Sequence, residues 1–188
     1  KQMSVVGLKM VKELRGISCF SLETSWKRKK SICTSRTFRE EVHHFNQLAE
    51  AISMYAFICG SKLRKQGSCA SMITIFILTN PFKRQYCVNY KGIKTIHLDT
   101  PTNNSLKIVS ATMAGLRSIY RRDCIYKKAG VIVGKIIPEE QVQLSLFDKL
   151  DRDKRKSINK AVDKLNATMG REKVKLAVQG SSSRKWKL

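Results

Sequence analysis

The chain has 188 residues, of which 42% are hydrophobic, so it has enough apolar material to build a core and is not wholly disordered. Its 37 lysines and arginines outnumber its 14 aspartates and glutamates, which gives a formal net charge of +23. Such an excess attracts polyanions, and nucleic acid is the leading partner class because binding releases its condensed counterions. An anionic membrane surface is the second candidate by charge. No apolar run approaches the length that spans a bilayer, so no transmembrane segment is predicted, and no membrane is expected among the partners.

The N-terminal segment carries a helical pattern without a start signal. In residues 1–15, Val5, Leu8, Val11 and Leu14 are spaced as on one stripe of a helix. Because the pattern begins abruptly and without a cap, we expect the chain to continue a longer protein. Residues 16–30 lose the periodicity and end in a basic run, which is typical of a linker.

The next three predicted elements are a strand, a helix and a strand. Residues 31–38 are β-favouring and mixed in polarity, which predicts a strand with one wet face. Apolar residues at helical spacing predict a helix from Phe45 to Arg64 that stops before Gly67. Residues 70–79 are almost wholly apolar, which predicts a central strand buried on both faces.

A second strand, helix and strand complete the pattern. Residues 94–100 alternate in polarity and predict a half-exposed strand that Pro101 breaks. Asn103 or Asn104 can cap a helix that runs to Tyr120, and residues 126–137 predict a last strand, closed by Pro138. The order β-α-β-β-α-β predicts an α+β domain: a four-stranded antiparallel or mixed sheet with two helices on one face and the other face open.

Beyond Pro138 the chain reads as a tail without a core pattern of its own. Residues 158–169 have the spacing of a short helix ended by Gly170, and residues 174–178 alternate like a strand. We therefore predict a short helix-strand extension.

The cysteines show no metal-binding spacing. None forms a C-x-x-C pair, and no histidine lies at ligand distance along the chain, so no zinc site or other metal site is predicted. Several lie within or beside apolar periodic segments, which favours buried reduced thiols and a cytoplasmic protein. The six are Cys19, Cys33, Cys59, Cys69, Cys87 and Cys124.

The sharpest motif is Gln143-Leu144-Ser145-Leu146-Phe147. It resembles the Q-L-[SD]-L-F peptide by which bacterial polymerases and repair proteins bind the β sliding clamp. Average composition would produce such a match by chance on the order of once in a few thousand chains of this length. Leu146 and Phe147 would fill a pocket at about 1.5 to 3 kcal/mol each, and the Gln143 amide would orient the peptide. The alternative is a segment that packs back on its own domain, but a charged run beside it favours exposure.

Further segments, in order across nearly the whole chain, resemble the UmuC family of Y-family translesion DNA polymerases. They are Leu14-Arg15-Gly16-Ile17, residues 35–41, residues 100–103, residues 126–131, Leu165-Asn166-Ala167 and Gly170-Arg171. The resemblance implies a little-finger fold and a division of the chain into five parts: residues 1–15 as the end of the thumb, 16–30 as linker, 31–138 as the DNA-binding little finger, 139–152 as the clamp-binding linker and 153–188 as a C-terminal extension.

In that family the open sheet face lies against the DNA duplex. The resemblance implies that backbone N-H groups of the first and last strands contact phosphates, with side-chain contacts from Ser35, Arg36, Thr37, Lys127 and Lys128. Phosphate contacts position a protein without reading bases, which suits bypass of damaged DNA. The alternative in each case is a structural role. Lys127 and Lys128 would be solvent-exposed residues at the start of a strand, and Arg36 would be a cross-strand partner of Glu40 or Asp99.

The resemblance also implies partners and a cellular role. They are primed or damaged DNA, the bacterial β sliding clamp, and UmuD-like and RecA-like proteins, in SOS DNA repair by a cytoplasmic, nucleoid-associated enzyme. The Mg²⁺-binding carboxylates of that family belong to a palm domain that would precede Lys1, so no cofactor is expected in this chain.

No catalytic residue is predicted either. Two-metal chemistry requires carboxylates that hold ions about 3.5 to 4 Å apart, whereas Glu40-Glu41 and Glu139-Glu140 are adjacent pairs at element edges. His43, His44 and His97 have no neighbouring nucleophile in any known local signature.

Two other functions fit part of the pattern. An RNA recognition motif has the same element order, but it stacks bases on aromatic residues of a central strand, and residues 94–100 contain none. An adapter that binds the clamp but not DNA would have no use for a net charge of +23.

Overall fold

The computed structural model of the protein describes residues 4–22, 28–82, 89–143, 152–170 and 172–180. Four helices and four strands lie in these ranges. They are α1 (Val5–Leu14), β1 (Ile32–Val42), α2 (Phe45–Lys65), β2 (Ser68–Thr79), β3 (Lys91–Thr102), α3 (Ser105–Ile119), β4 (Tyr126–Pro138) and α4 (Arg152–Thr168). Single turns of 3-10 helix occupy Glu139–Gln141 and Ala177–Gln179.

The four strands form one antiparallel sheet in the order β1-β4-β2-β3. Helix α2 connects β1 to β2 with β4 between them, and α3 connects β3 to β4 with β2 between them. These two crossovers place both helices on one face of the sheet, where α2 and α3 also pack against each other. The predicted α+β class and element order are confirmed.

The core lies between the helix layer and the sheet. Alternate residues of the two central strands are fully buried there, together with one stripe of α2 and one of α3; the largest of these side chains include Ile73, Ile75, Ile77, Leu48, Ile52, Leu63, Ile108 and Leu116. Helix α3 approaches β2 closely at Gly115, where a Cβ atom would come within 2.6 Å of Ile75 Cδ1. The amphipathic spacing seen in the sequence therefore identifies the buried faces of both helices.

Strand β3 and helix α3 meet at a turn that the sequence predicts only in part. The Asn104 side chain accepts a hydrogen bond from the Leu106 N-H at 2.9 Å, so the predicted N-cap is confirmed. Pro101 does not break the preceding strand, because β3 continues to Thr102. A proline is tolerated there because β3 is an edge strand and its outer side needs no N-H donor.

Strand β2 is central, as predicted, but it is not buried on both faces. Ile73, Ile75 and Ile77 are completely buried against the helices. Phe76 and Leu78, on the other side of the strand, are only half-buried. The prediction of two buried faces was wrong, because a continuous apolar run does not reveal whether a layer covers the second face, and none of the described elements does.

Helix α1 forms where its periodicity predicts it, but its apolar stripe builds no core. Val5, Leu8 and Leu14 are 69%, 57% and 83% exposed. The residues that follow fold back onto the helix, because the Glu13 carboxylate accepts hydrogen bonds from the backbone N-H groups of Cys19 and Phe20. Among the described residues, no element covers the stripe.

The described C-terminal residues pack on the helix layer, on its side away from the sheet. The predicted helix there is confirmed and begins earlier than predicted, at Arg152. The predicted strand over 174–178 is wrong, because this stretch ends in the 3-10 turn Ala177–Gln179 against α2. Gln179 determines that turn: its side chain accepts a hydrogen bond from the Leu176 N-H at 3.1 Å and donates to the Ser53 carbonyl at 3.4 Å.

An ion pair joins α4 to the helix layer. Asp163 binds Arg64 of α2 through two hydrogen bonds of 2.6 and 2.8 Å, and the same guanidinium donates to the Asn103 carbonyl and the Ser105 hydroxyl. Ile158, which belongs to the predicted apolar stripe, is 49% exposed. One arginine therefore joins α2, the start of α3 and α4.

We expect Asp163→Ala to release α4 without unfolding the sheet. The variant leaves Arg64 without its charged partner and should weaken the docking of α4 by about 1.5 to 3 kcal/mol, the usual contribution of hydrogen bonds to charged groups. Amide hydrogen exchange is the measurement, and residues 153–168 should lose protection while β2 and β4 keep theirs. Asp153→Ala, an exposed change on the same helix, is the control. Unchanged protection in Asp163→Ala would contradict the role of this ion pair.

The cysteines differ in part from the expected buried thiols. Cys59 and Cys69 are free and buried, as predicted, whereas Cys33 is free but exposed on the edge strand. Cys124 is disulfide-bonded, which departs from the prediction of reduced thiols. Burial raises the pKa of the Cys59 thiol from 9.0 to about 11, against the smaller opposing effects of the Thr34 hydroxyl and Lys62.

This shift predicts alkaline destabilisation. The unfolded chain ionises Cys59 near pH 9.0 and the folded chain near pH 11, so the free energy of unfolding should fall as pH rises through that window. Tyr126, whose pKa burial raises from 10.0 to about 12, extends the fall to higher pH. Urea midpoints at pH 8, 10 and 11 measure it, and Cys59→Ala should flatten the first part of the decline. An equally steep decline in that variant would assign the effect elsewhere.

Within the described ranges, no helix is both long enough and apolar enough to span a membrane.

Candidate nucleic-acid interface

The face of the sheet opposite α2 and α3, here called the open face, has no covering layer among the described residues. Strand registers place its side chains in rows across the four strands. The rows are Thr37, Lys128, Leu78 and Lys91; then Ser35, Gly130, Phe76 and Ile93; then Cys33, Ile132, Thr74 and Thr95; and last Gly134, Met72 and His97. The surface is thus a mixture of apolar, hydroxyl and cationic groups.

Two glycines of β4 shape the middle of the open face. A Cβ atom at Gly130 would overlap the Phe76 ring and the Ser35 side chain, and one at Gly134 would lie 2.7 Å from Met72 Cε. Phe76 and Met72 therefore lie flat across β4 instead of projecting outward. The result is a shallow apolar floor that a broad, extended ligand can approach.

Positive charge is concentrated in the first row of the open face. Lys91 of β3 and Lys128 of β4 are both exposed, and they pair with Leu78 of β2 from its two sides. Two ammonium groups therefore lie in one row, one on each side of the central strand. Thr37 continues the row on β1 and offers a hydroxyl group. Cations and hydroxyls of this kind are the side chains that contact phosphate oxygens in protein-DNA interfaces.

The five residues predicted to contact DNA do not all lie on this face. Ser35, Thr37 and Lys128 do. Arg36 alternates with Thr34 and Phe38, which contact the helix layer, and is exposed at the outer edge of β1. A phosphate contact of Arg36 would therefore come from the edge of the sheet.

Lys127 occupies an irregularity of the sheet. The register shifts between Lys128 and Tyr126 on both sides of β4, and the Lys127 ammonium donates to the Arg39 carbonyl at 3.0 Å. This bond directs Lys127 toward the end of β1 rather than over the open face. Its role in DNA contact stays a prediction.

Sequence reasoning missed Lys91 and Phe76. Lys91 falls in the loop from 82 to 91, to which no function was assigned, yet β3 begins at this residue. Phe76 lies inside an apolar run whose two faces look alike in the sequence. The pairing of β2 with β3 and β4 places both residues on the open face. This pairing is not visible in the sequence.

A hollow of about 640 Å³ at one end of the sheet contains the acidic pair and two of the histidines that were considered as catalytic candidates. Glu40, Glu41, His43 and His44 line it with Arg39 and Lys127, so opposite charges are mixed there. Within the described residues no group of three or more His, Cys, Asp or Glu side chains could hold a metal ion. The hollow therefore lacks the net charge of a phosphate site and the ligand set of a metal site.

The predicted clamp-binding motif is mostly outside the described residues. Gln143 is exposed at the end of a described range, and Leu144, Ser145, Leu146 and Phe147 lie beyond it. The segment just before it is held in place, because Glu139 binds Lys156 of α4 at 2.8 Å and accepts a hydrogen bond from Asn103.

Comparison with known proteins identifies the family. Residues 29–146 match the model of the impB/mucB/samB family C-terminal domain. The chain therefore belongs to this family. Its relatives include Protein UmuC of Salmonella typhimurium, 33% identical over 183 residues, and Protein ImpB of the same species, 32% identical over 184 residues. Each alignment covers 97% of this chain and 43% of the relative, so the chain spans less than half the length of these relatives. The resemblance to UmuC is confirmed.

Solved structures similar to the chain are more distant. An insertion ternary complex of Dbh DNA polymerase aligns with 72% of this chain and 36% of that chain, at a TM-score of 0.43 and 12% identity. A complex of beta-clamp processivity factor and the little finger domain of PolIV aligns with 62% of this chain and 98% of that chain, at a TM-score of 0.40 and 14% identity.

Proposed function

We propose that this chain is the DNA-holding and clamp-binding region of an error-prone translesion polymerase of the impB/mucB/samB family. Its open sheet face would lie along the sugar-phosphate backbone of primed or damaged DNA, and the peptide from Gln143 to Phe147 would bind the bacterial β sliding clamp. The chain itself would catalyse nothing. Its task would be to keep the polymerase on a template whose bases it does not read.

One observation carries this proposal: the sheet has a face with a cationic row, and no element of the described residues covers that face. Lys91 and Lys128 flank Leu78 on that face, and the chain as a whole carries a net charge of +23. Such a surface gains affinity by releasing counterions from phosphates, which depends on charge and not on base sequence. Ser35 and Thr37 add hydroxyl groups that can bind phosphate oxygens along β1.

The same surface argues against an RNA recognition motif. Those domains stack two or three bases on aromatic side chains of the sheet. Among the described strand residues, Phe76 is the single aromatic on the open face, and it lies flat against Gly130. A lone recessed ring cannot supply a row of stacking platforms.

Further elements of the proposal concern the whole protein. We place the Mg²⁺-dependent nucleotidyl transfer in a palm domain outside this chain, and the protein in the cytoplasm, associated with the nucleoid, where it acts in the SOS response. UmuD-like and RecA-like proteins would be its partners. Family membership supports these elements. They concern regions outside this chain, because the chain matches only 43% of the length of relatives such as Protein UmuC.

A fluorescence-anisotropy titration with primed DNA tests the central step. The affinity should fall steeply between 50 and 200 mM salt, with a slope of log K against log salt of about −0.9 for each phosphate neutralised, and it should be the same for unrelated base sequences. A salt-independent affinity, or a preference of tenfold or more for one sequence, would refute a grip on the phosphate backbone.

A further inference from the structure

A second cationic surface lies around the edge of β1, next to the open face. The linker, the start of β1 and the last turns of α2 enclose a hollow of about 350 Å³. Three lysines, Lys29, Lys62 and Lys65, line it, and Ser31, Ile32, Cys33 and Gln66 complete its wall. The volume is in the range of ligand clefts, about 300 to 1,000 Å³.

No acidic residue in the described part of the chain compensates the charges of this hollow. Its lining includes no carboxylate, and none of its three lysines forms an ion pair with a described acidic residue. The C-terminal end of α2 contributes about half a negative charge, which three ammonium groups outweigh. Three like charges around one concave surface repel each other, and an anion between them removes that repulsion.

The hollow is also structurally defined. Gln66 ties the linker to α2 by two reciprocal hydrogen bonds, in which it accepts from the Lys29 N-H at 3.3 Å and donates to the Lys29 carbonyl at 3.4 Å. The Lys62 ammonium donates to the Thr34 hydroxyl at 3.2 Å, which directs it toward β1. The backbone of Lys29 and the ammonium group of Lys62 are thus held by bonds to neighbouring elements.

We propose that this hollow binds a backbone phosphate of the DNA that the open face holds, at a point where a strand passes the β1 edge. Ser31 precedes β1, and Cys33 belongs to both the hollow and the open face, so the two surfaces are continuous. The lysines bind phosphate as point charges and read no bases. This proposal rests on the proposed function and adds a second phosphate site to it.

The test compares two triple variants with equal loss of charge. K29Q/K62Q/K65Q removes the cations of the hollow, and K160Q/K164Q/K173Q removes three exposed cations of the C-terminal region. All changes are at exposed positions, so both variants should fold. In anisotropy titrations with primed DNA, the first variant should lower the salt slope by about 0.9 for one lost phosphate contact, and the second should leave it unchanged. K29R/K62R/K65R should restore the slope.

The outcomes separate the two proposals. If DNA binding by the unaltered chain is independent of salt, the proposed function fails and this inference fails with it. If that binding is salt-dependent but the two Gln triples give equal slopes, the hollow is not a DNA contact while the proposed function stands.

A parallel NMR titration distinguishes the phosphate source: the amides of Cys33 and Gln66 should shift with DNA. Shifts with inorganic phosphate at matched ionic strength and none with DNA would overturn the assignment.

Discussion

Changing both Leu146 and Phe147 to alanine is expected to abolish binding to a bacterial β sliding clamp and to leave DNA affinity unchanged. In the proposed clamp-binding peptide these two side chains would be the apolar anchors, and each would contribute about 1.5 to 3 kcal/mol by filling a pocket. Their joint loss corresponds to a decrease in affinity of at least a hundredfold. The peptide follows a segment that Glu139 holds through Lys156 and Asn103, so the change should not disturb the domain.

Surface plasmon resonance with immobilised clamp measures this effect. Val142→Ala is the matched control, since it shortens a neighbouring apolar side chain outside the motif and should change clamp affinity by less than threefold. DNA titrations of both variants should superimpose on that of the unaltered chain. Clamp binding that survives the double change would show that another surface of the chain makes the contact.

The charge-reversed variant K91E/K128E is expected to lower DNA affinity at least tenfold at physiological salt. Both lysines are exposed in one row of the open face, so glutamates there would face the phosphates directly. Removing two phosphate contacts should lower the salt slope by about 1.8. Leu78 between them and the buried side of β2 are unchanged, so the fold should be retained.

K160E/K164E is the control for this change. It alters the net charge by the same amount on α4, where both lysines are exposed, and any difference between the two variants therefore reports location and not total charge. Clamp affinity should be unaffected in both. Equal losses of DNA affinity would mean that the charge acts at long range and that the open face makes no particular contact.

The two predictions concern surfaces of different physical character. The open face combines ammonium groups with a flat apolar floor of Phe76 and Met72 over Gly130 and Gly134. Its affinity for DNA should therefore decrease gradually as the salt concentration rises. The peptide relies on apolar burial, which salt screens little. Binding to the clamp should therefore persist at salt concentrations that release the DNA.

Much of the fold can be predicted from the sequence, because its signals are local. The 3.6-residue spacing of apolar groups identifies α2 and its buried stripe, and the pair Asn103 and Asn104, of which Asn104 is the N-cap, predicts the start of α3. The clamp motif and the net charge are also properties of the sequence alone, and they indicate two partners without any structure. The helix at α1 is predicted for the same reason, although its exposed stripe shows that periodicity does not reveal what a helix packs against.

Other features depend on contacts between distant residues and were decided by the tertiary structure. Only the strand order β1-β4-β2-β3 brings Thr37, Lys128 and Lys91 into one row, since these residues are far apart in the chain. Residues 174–178 alternate like a strand but lie against α2, where no sheet edge can pair with them. Local periodicity determined the helices and strands of this protein, and non-local pairing determined which of their faces stays uncovered, because burial is a property of the neighbours that a residue meets.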